Sequence, residues 1–138
     1  MENNFDVQSI GINRNTTNVF EFIANPENLS LWTNAFVKAD KTSAIMVTPN
    51  GELSIKLETI IAKESGTIDW VMTMPDGSIG KAFSRVSKNG KNAIYSFVLL
   101  APPVPLEQLE GALSAQKIVL AEELKKLKRI LENNNLNK

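Results

Sequence analysis

TIDWVMTMPDGSIGKAFSRVSKNGKNAIYSFVLL, residues 67–100, alternates apolar and polar side chains three times over, with breaks at Pro75-Asp76-Gly77 and Asn89-Gly90. Alternation with period two belongs to strands, because successive side chains leave opposite faces. Asp-Gly and Asn-Gly supply the positive φ that tight hairpins need. The stretch therefore predicts two consecutive antiparallel hairpins. Pairing residues across the turns tests whether their faces agree. A three-residue turn at Pro75-Asp76-Gly77 sets Met72 against Gly80 and Trp70 against Ala82. A two-residue turn at Asn89-Gly90 sets Lys88 against Lys91, hence Ser84 against Tyr95 and Ala82 against Phe97. One face then collects Ile68, Trp70, Met72, Met74, Gly80, Ala82, Ser84, Val86, Ala93, Tyr95, Phe97 and Leu99, and the other collects Asp69, Lys81 and Arg85. The first face belongs to a core and the second to water.

The same pattern extends upstream. Leu53, Ile55, Leu57, Thr59 and Ile61 alternate with Glu52, Lys56 and Glu58, and join the inward face through a turn at residues 63–66. Pro49-Asn50-Gly51 marks one more turn, so about five strands lie between Ser43 and Ala101. Before them, Phe5 to Asn13 reads as a first strand. Asn15, Thr16 and Thr17 then offer capping oxygens to a helix whose Val19, Phe20 and Ile23 share one face. Asn25-Pro26 ends that helix, and Pro26 starts a second short one toward Trp32. After the strands, Leu106, Leu109, Leu113, Leu120, Leu124, Leu127 and Leu131 repeat at helical spacing up to about Asn133. Such a helix is roughly 40 Å long, enough to cross a small sheet. The expected architecture is one α+β domain over residues 1–138. A curved antiparallel sheet of six or more strands packs on a long C-terminal helix, and residues 133–138 form a frayed tail.

Composition narrows the chemistry. The chain has 138 residues, 43% hydrophobic and 22% charged, which is globular composition. It contains neither Cys nor His. Thiol nucleophiles, imidazole bases and Cys/His zinc cages are therefore excluded, and no metal or cofactor is expected. Lys plus Arg equals Asp plus Glu at 15 each, so no overall field attracts a nucleic-acid backbone. Lys125, Lys126, Lys128 and Arg129 form a basic run, but Glu122, Glu123 and Glu132 interleave it, which reads as a solvated helix face. Residues 77–81 carry glycines and a lysine without the spacing of a phosphate loop. The first thirteen residues hold two acids and no basic segment, unlike a secretory signal. The apolar run from Phe97 to Ala101 stops at Pro102-Pro103, far short of a membrane span. The expectation is a soluble cytoplasmic protein.

Ser9-Ile10-Gly11-Ile12-Asn13, then residues 19–29 (VFEFIANPENL), then Trp32, resembles the opening strand, first helix and following Trp of the SRPBCC superfamily. That superfamily includes START lipid-transfer domains, pollen-allergen-type carriers and polyketide cyclase/dehydrase-like proteins. Residues 121–132, rich in Leu, Lys and Glu, resemble its closing helix. The resemblance implies a helix-grip fold whose sheet and long helix enclose an apolar cavity for lipids, polyketides or similar molecules.

Two readings of the inward face follow. Gly80, Ala82 and Ser84 lie opposite Trp70, Met72, Tyr95 and Phe97, which is either jigsaw packing or room left for a ligand. On the second reading the binding residues are Trp32, Leu57, Trp70, Met72, Tyr95, Phe97, Leu113 and Leu120, with Thr59, Ser84 and Gln116 as sparse polar groups. Gln116 interrupts the leucine seam, where it either meets a ligand or turns to solvent. Gly111 within the helix admits a close approach. No acid, amine or imidazole falls on the inward face, so no catalytic residue is assigned, and a non-enzymatic partner of a small hydrophobic molecule is favoured. Two other classes stay open: a cyclase- or dehydratase-like enzyme working through Tyr95 and Ser84, and a co-chaperone-like or dimerising domain, including a homodimer.

Overall fold

The computed structural model describes residues 5–48, 51–100 and 106–133, with side chains of the last segment from Ser114 onward. Among these residues seven strands form one antiparallel sheet: β1 (Phe5–Ile12), β2 (Phe36–Ala39), β3 (Ser43–Thr48), β4 (Gly51–Ala62), β5 (Thr67–Thr73), β6 (Ile79–Asn89) and β7 (Asn92–Leu100). Their order is β1-β7-β6-β5-β4-β3-β2, so β2 to β7 run as an uninterrupted meander and β1 closes against β7. The sheet curls into a half-barrel. Helix α1 (Thr16–Ala24), a 3₁₀ turn (Pro26–Asn28) and α2 (Leu29–Trp32) connect β1 to β2, and α3 (Leu106–Asn133) follows β7. This is the expected α+β arrangement, helix-grip-like in form.

Local chemistry sets the helix limits. The Asn15 side chain accepts a 2.8 Å hydrogen bond from the Asn18 N–H, satisfying one of the donors a helix start leaves open. Asn25 ends α1 in an extended conformation and caps the next turn through Glu27 N–H, with Pro26 at its first position. Val19, Phe20, Phe22 and Ile23 are buried. Leu120, Leu124, Leu127 and Leu131 of α3 are buried too, each contributing about 1.5–3 kcal/mol of apolar burial. The C-terminal end of α3 is pinned to the end of β1. Arg14 Nη1 donates to Leu131 O, Lys128 Nζ donates to Gly11 O, and Glu132 Oε2 accepts from Asn13 N–H, each at 2.6 Å.

The β5–β6 register is the predicted one, with Trp70 opposite Ala82 and Met72 opposite Gly80. The β6–β7 register differs. Asn89 pairs with Asn92, so Tyr95 lies opposite Val86, Phe97 opposite Ser84, and Leu99 opposite Ala82. The loop is Gly90-Lys91 rather than Asn89-Gly90. Within this loop only Gly90 takes a positive φ, of 65°. A glycine at the first loop position suits a type II′ turn, whereas Asn-Gly would need positive φ twice. The slip is two residues, so every side chain keeps its face.

Strand β2 has no counterpart in the sequence reading. It is four residues long, lies at the sheet edge, and its register with β3 shifts between Phe36 and Lys38. Pro49, Asn50, Pro102, Pro103 and residues 134–138 lie outside the described residues, as do the side chains of Leu106, Leu109, Gly111 and Leu113. No described helix is long and apolar enough to cross a membrane.

Candidate binding cavity

Between the concave sheet face, α2 and the middle of α3 lies a cavity of about 680 Å³. Its position follows from side-chain size. Gly80 and Ala82 on β6 project little into the space that the curled sheet encloses. A Cβ added at Gly80 would meet only the Met72 methyl, at an ordinary 3.7 Å, so crowding does not require glycine there. The walls are apolar and polarisable. Trp70 stacks on Phe97 with ring centres 6.0 Å apart and planes 29° apart. Met46, Met72 and Met74 line the space beside them, and unbranched thioethers repack readily around different shapes. Leu29, Trp32 and Phe36 close one side, and Val119 and Leu120 close another. The polar residues bordering it are Thr33, Lys81, Gln116 and Glu123.

Of the residues singled out in the sequence, Trp32, Trp70, Met72, Phe97, Gln116 and Leu120 border this cavity. Gln116 is solvent-exposed and also reaches its border. Leu57, Ser84 and Tyr95 lie in the packed interior, outside the lining, and Thr59, partly exposed with its hydroxyl oxygen buried, is outside the lining too. Ser84 is occupied there: its hydroxyl donates to Ile68 O at 2.7 Å, across the β5–β6 ladder. The side chain of Leu113 lies outside the described residues. Tyr95 is wholly buried, meeting Trp32 edge-on at 6.2 Å and Phe97 at 6.3 Å. Burial pushes its phenol further above the ordinary range, against a small opposing pull from the nearby Ser84 hydroxyl. A phenol so placed stays protonated at neutral pH and does not serve as a base.

Glu123 corrects the sequence reading. The sequence places it on a solvated face with Glu122 and Glu132, and of the three only Glu122 is exposed there. Glu122 lies 3.6 Å from Lys125 with both exposed, and Glu132 bonds Lys128 at 2.6 Å. Glu123 instead is half-buried at the cavity, where its carboxylate accepts a 2.6 Å bond from Asn34 N–H. Burial raises its pKa above the ordinary carboxylate value, opposed by the Asn34 bond and by the charge of Lys126. The spacing held the clue. Gln116, Leu120, Glu123 and Leu127 stand four, three and four apart, the rhythm of one helix face.

Four polar atoms deep among these rings have no hydrogen-bond partner: Trp32 Nε1, Thr59 Oγ1, Trp70 Nε1 and Tyr95 Oη. Native interiors leave few such groups, and each asks for a water, a ligand or a structural reason. Among the described residues, no cluster of three or more metal-ligating side chains comes together. A smaller cleft of about 290 Å³ lies between the start of α1 and the β4–β5 turn. It is bordered by Lys63, Arg85 and Lys88, all exposed, and is no place for an apolar molecule.

No protein-family model and no curated protein sequence matches the chain. Solved structures do match in shape. An uncharacterised protein from Bacillus thuringiensis aligns with TM-score 0.68 at 14% identity, over 92% of this chain and 98% of that one. The Aha1 dimer from Colwellia psychrerythraea aligns with TM-score 0.61 at 16% identity, over 93% and 96%. DynU16, encoded in the dynemicin biosynthetic locus, aligns with TM-score 0.64 at 10% identity. That match covers 99% of this chain and 49% of DynU16, so the chain spans about half its length. At these identities the likeness concerns the fold.

Proposed function

We propose that this protein is a binding module for a small, largely apolar molecule held between the sheet and α3, and that it releases its ligand unchanged. The observation that carries this reading is the apolar cavity of about 680 Å³, within the range of roughly 300–1,000 Å³ that ligand pockets occupy. The resemblance to the SRPBCC superfamily narrows the ligand to a lipid- or polyketide-like class, and a structural neighbour from a biosynthetic locus agrees with it. A chain without cysteine suits a reducing compartment, and we place its action in the cytoplasm. Titration with Nile red, a neutral apolar fluorophore, tests the reading. The dye should brighten on binding, and Ala82→Trp should abolish the response while circular dichroism and melting stay near those of the parent. Undiminished binding to that variant would overturn it.

Glu123 favours a second reading, a cyclase- or dehydratase-like enzyme. A half-buried carboxylate with a raised pKa is the kind of group that acid–base chemistry uses. Turnover of an aromatic polyketide-type substrate, lost in Glu123→Gln, would establish it. Binding without turnover would return the cavity to carriage alone.

A further inference from the structure

We propose that the occupant of the cavity carries a hydrogen-bond acceptor, a carbonyl or ether oxygen on an apolar frame, and that the Trp70 indole N–H receives it. This deepens the binding-module reading and rests on it. Trp70 is 4% exposed and lines the cavity, yet its Nε1 has no partner among the described residues. An indole N–H is a donor only, so nothing but an acceptor satisfies it, and leaving it unmet in a dry interior is costly.

Trp32, the other orphaned indole, is placed differently. Trp32 meets Tyr95 edge-on, an arrangement in which a ring face serves as a weak acceptor. Trp70 instead lies nearly parallel to Phe97, a geometry that gives an in-plane N–H nothing from that ring. The flexible thioethers of Met72 and Met74 flank the same space and can shift to admit an oxygen. The acids, amines and amides bordering the cavity make no hydrogen bond to Trp70, and its Nε1 is itself buried, so a neighbouring side chain must move aside before a ligand oxygen reaches it. A pure hydrocarbon would fill the volume and leave this donor unmet. A ketone or ether of the same shape would meet it.

The test uses a matched pair of rigid probes, fluorene and 9-fluorenone, which differ by one carbonyl oxygen. The sequence has two tryptophans, so ¹⁵N-labelled protein shows two indole correlations, assigned with Trp32→Phe and Trp70→Phe. Both probes should bind. Fluorenone should shift the Trp70 indole proton downfield and fluorene should not. The affinity ratio of fluorenone to fluorene should fall about threefold to tenfold in Trp70→Phe, the loss expected for one neutral hydrogen bond. If both probes bind, the ratio is unchanged by Trp70→Phe and the Trp70 resonance responds alike to both, the inference is wrong while the cavity reading stands. If neither probe binds, both fall together. Should Trp70→Phe fail to fold, the resonance shift in the parent protein decides alone.

Discussion

Glu123 of α3 accepts a 2.6 Å hydrogen bond from the backbone N–H of Asn34, joining the middle of the long helix to the segment between α2 and β2. The bond sits beside the cavity, and both flanking walls, Trp32 with Phe36 on one side and Val119 with Leu120 on the other, depend on the position of those two elements. It is a charge-assisted contact, stronger than a neutral one, made by a carboxylate that burial makes reluctant to ionise.

The sign of its pH dependence follows. A folded-state pKa raised above the ordinary 4.5 means that the native protein takes up this proton more readily than the unfolded chain. Ionised Glu123 therefore carries a penalty that is fully present above its folded pKa and disappears as pH falls to 4.5. Glu123→Gln keeps an acceptor for Asn34 and removes the charge. Urea unfolding should find the variant more stable than the parent at pH 7, with the gap closing below pH 4.5. A gap that does not vary with pH would refute the account. Glu132 feels desolvation as its largest single influence, but the bonds from Lys128 and Asn13 and the Lys128 charge together outweigh it and lower its pKa; it contributes in the opposite sense and is common to both proteins.

Thr59 and Trp70 face each other across the β4–β5 ladder, each with a buried polar atom lacking a partner. Thr59→Val removes one of these and keeps the shape. It should raise stability by about 1 kcal/mol. That corresponds to roughly 3–5 °C in melting temperature for a domain of this size. Differential scanning calorimetry measures it. A lower melting temperature would mean that the hydroxyl holds an internal water.

Gly66 and Gly77 both hold positive φ, at 75° and 90°, but only one is crowded. A Cβ on Gly66 would stand 2.2 Å from the Val86 carbonyl oxygen, and that backbone is fixed by a 2.8 Å bond from Val86 N–H to Gly66 O. Nothing lies within 4 Å of a Cβ on Gly77. Gly77→Ala should cost about 1 kcal/mol from backbone conformation, and Gly66→Ala about 3 kcal/mol or more. Equal losses in denaturant titrations would show that the β4–β5 turn yields more easily than this geometry allows.

Leu127 is 0% exposed and Ile118 is 69% exposed on the same helix. Leu127→Ala should therefore cost about 2–5 kcal/mol. Ile118→Ala should change stability by no more than about 0.5 kcal/mol. Chemical unfolding of both variants checks which face of α3 carries the core, and a large loss at Ile118 would mean that its exposed side is covered in solution.

What could be read from the residues was what repeats. Alternation from Leu53 to Leu99 assigned the inward face, although Ile61 on it is 51% exposed, and Leu120, Leu124, Leu127 and Leu131 assigned the buried side of α3. Periodicity averages over many residues, so it survives a local error such as the shifted β6–β7 turn. Single contacts do not average. Strand β2 is only four residues long with an irregular register, and nothing repeats in it. Glu123 went unrecognised because its destination depends on where the Asn34 backbone arrives from another part of the chain. Alternation gives the face of Ser84 but not its partner, the Ile68 carbonyl.

The placement of β1 beside β7 governs the order in which the chain can fold. Phe5 pairs with Leu100, and Asn13 and Arg14 reach Glu132 and Leu131. The hairpins from β3 to β7 need only near neighbours in sequence and can close as they emerge from the ribosome. Strand β1 is made before all of them and cannot pair until Leu100 follows. At about 5–20 residues per second that delay is roughly 5–20 seconds. Throughout it, β1 is a strand without a neighbour, carrying Phe5 and Val7, which even the finished fold leaves largely uncovered. A chain stalled before β7 would be open to edge-to-edge association at this strand, and the pairing that relieves it closes the longest loop in the sheet.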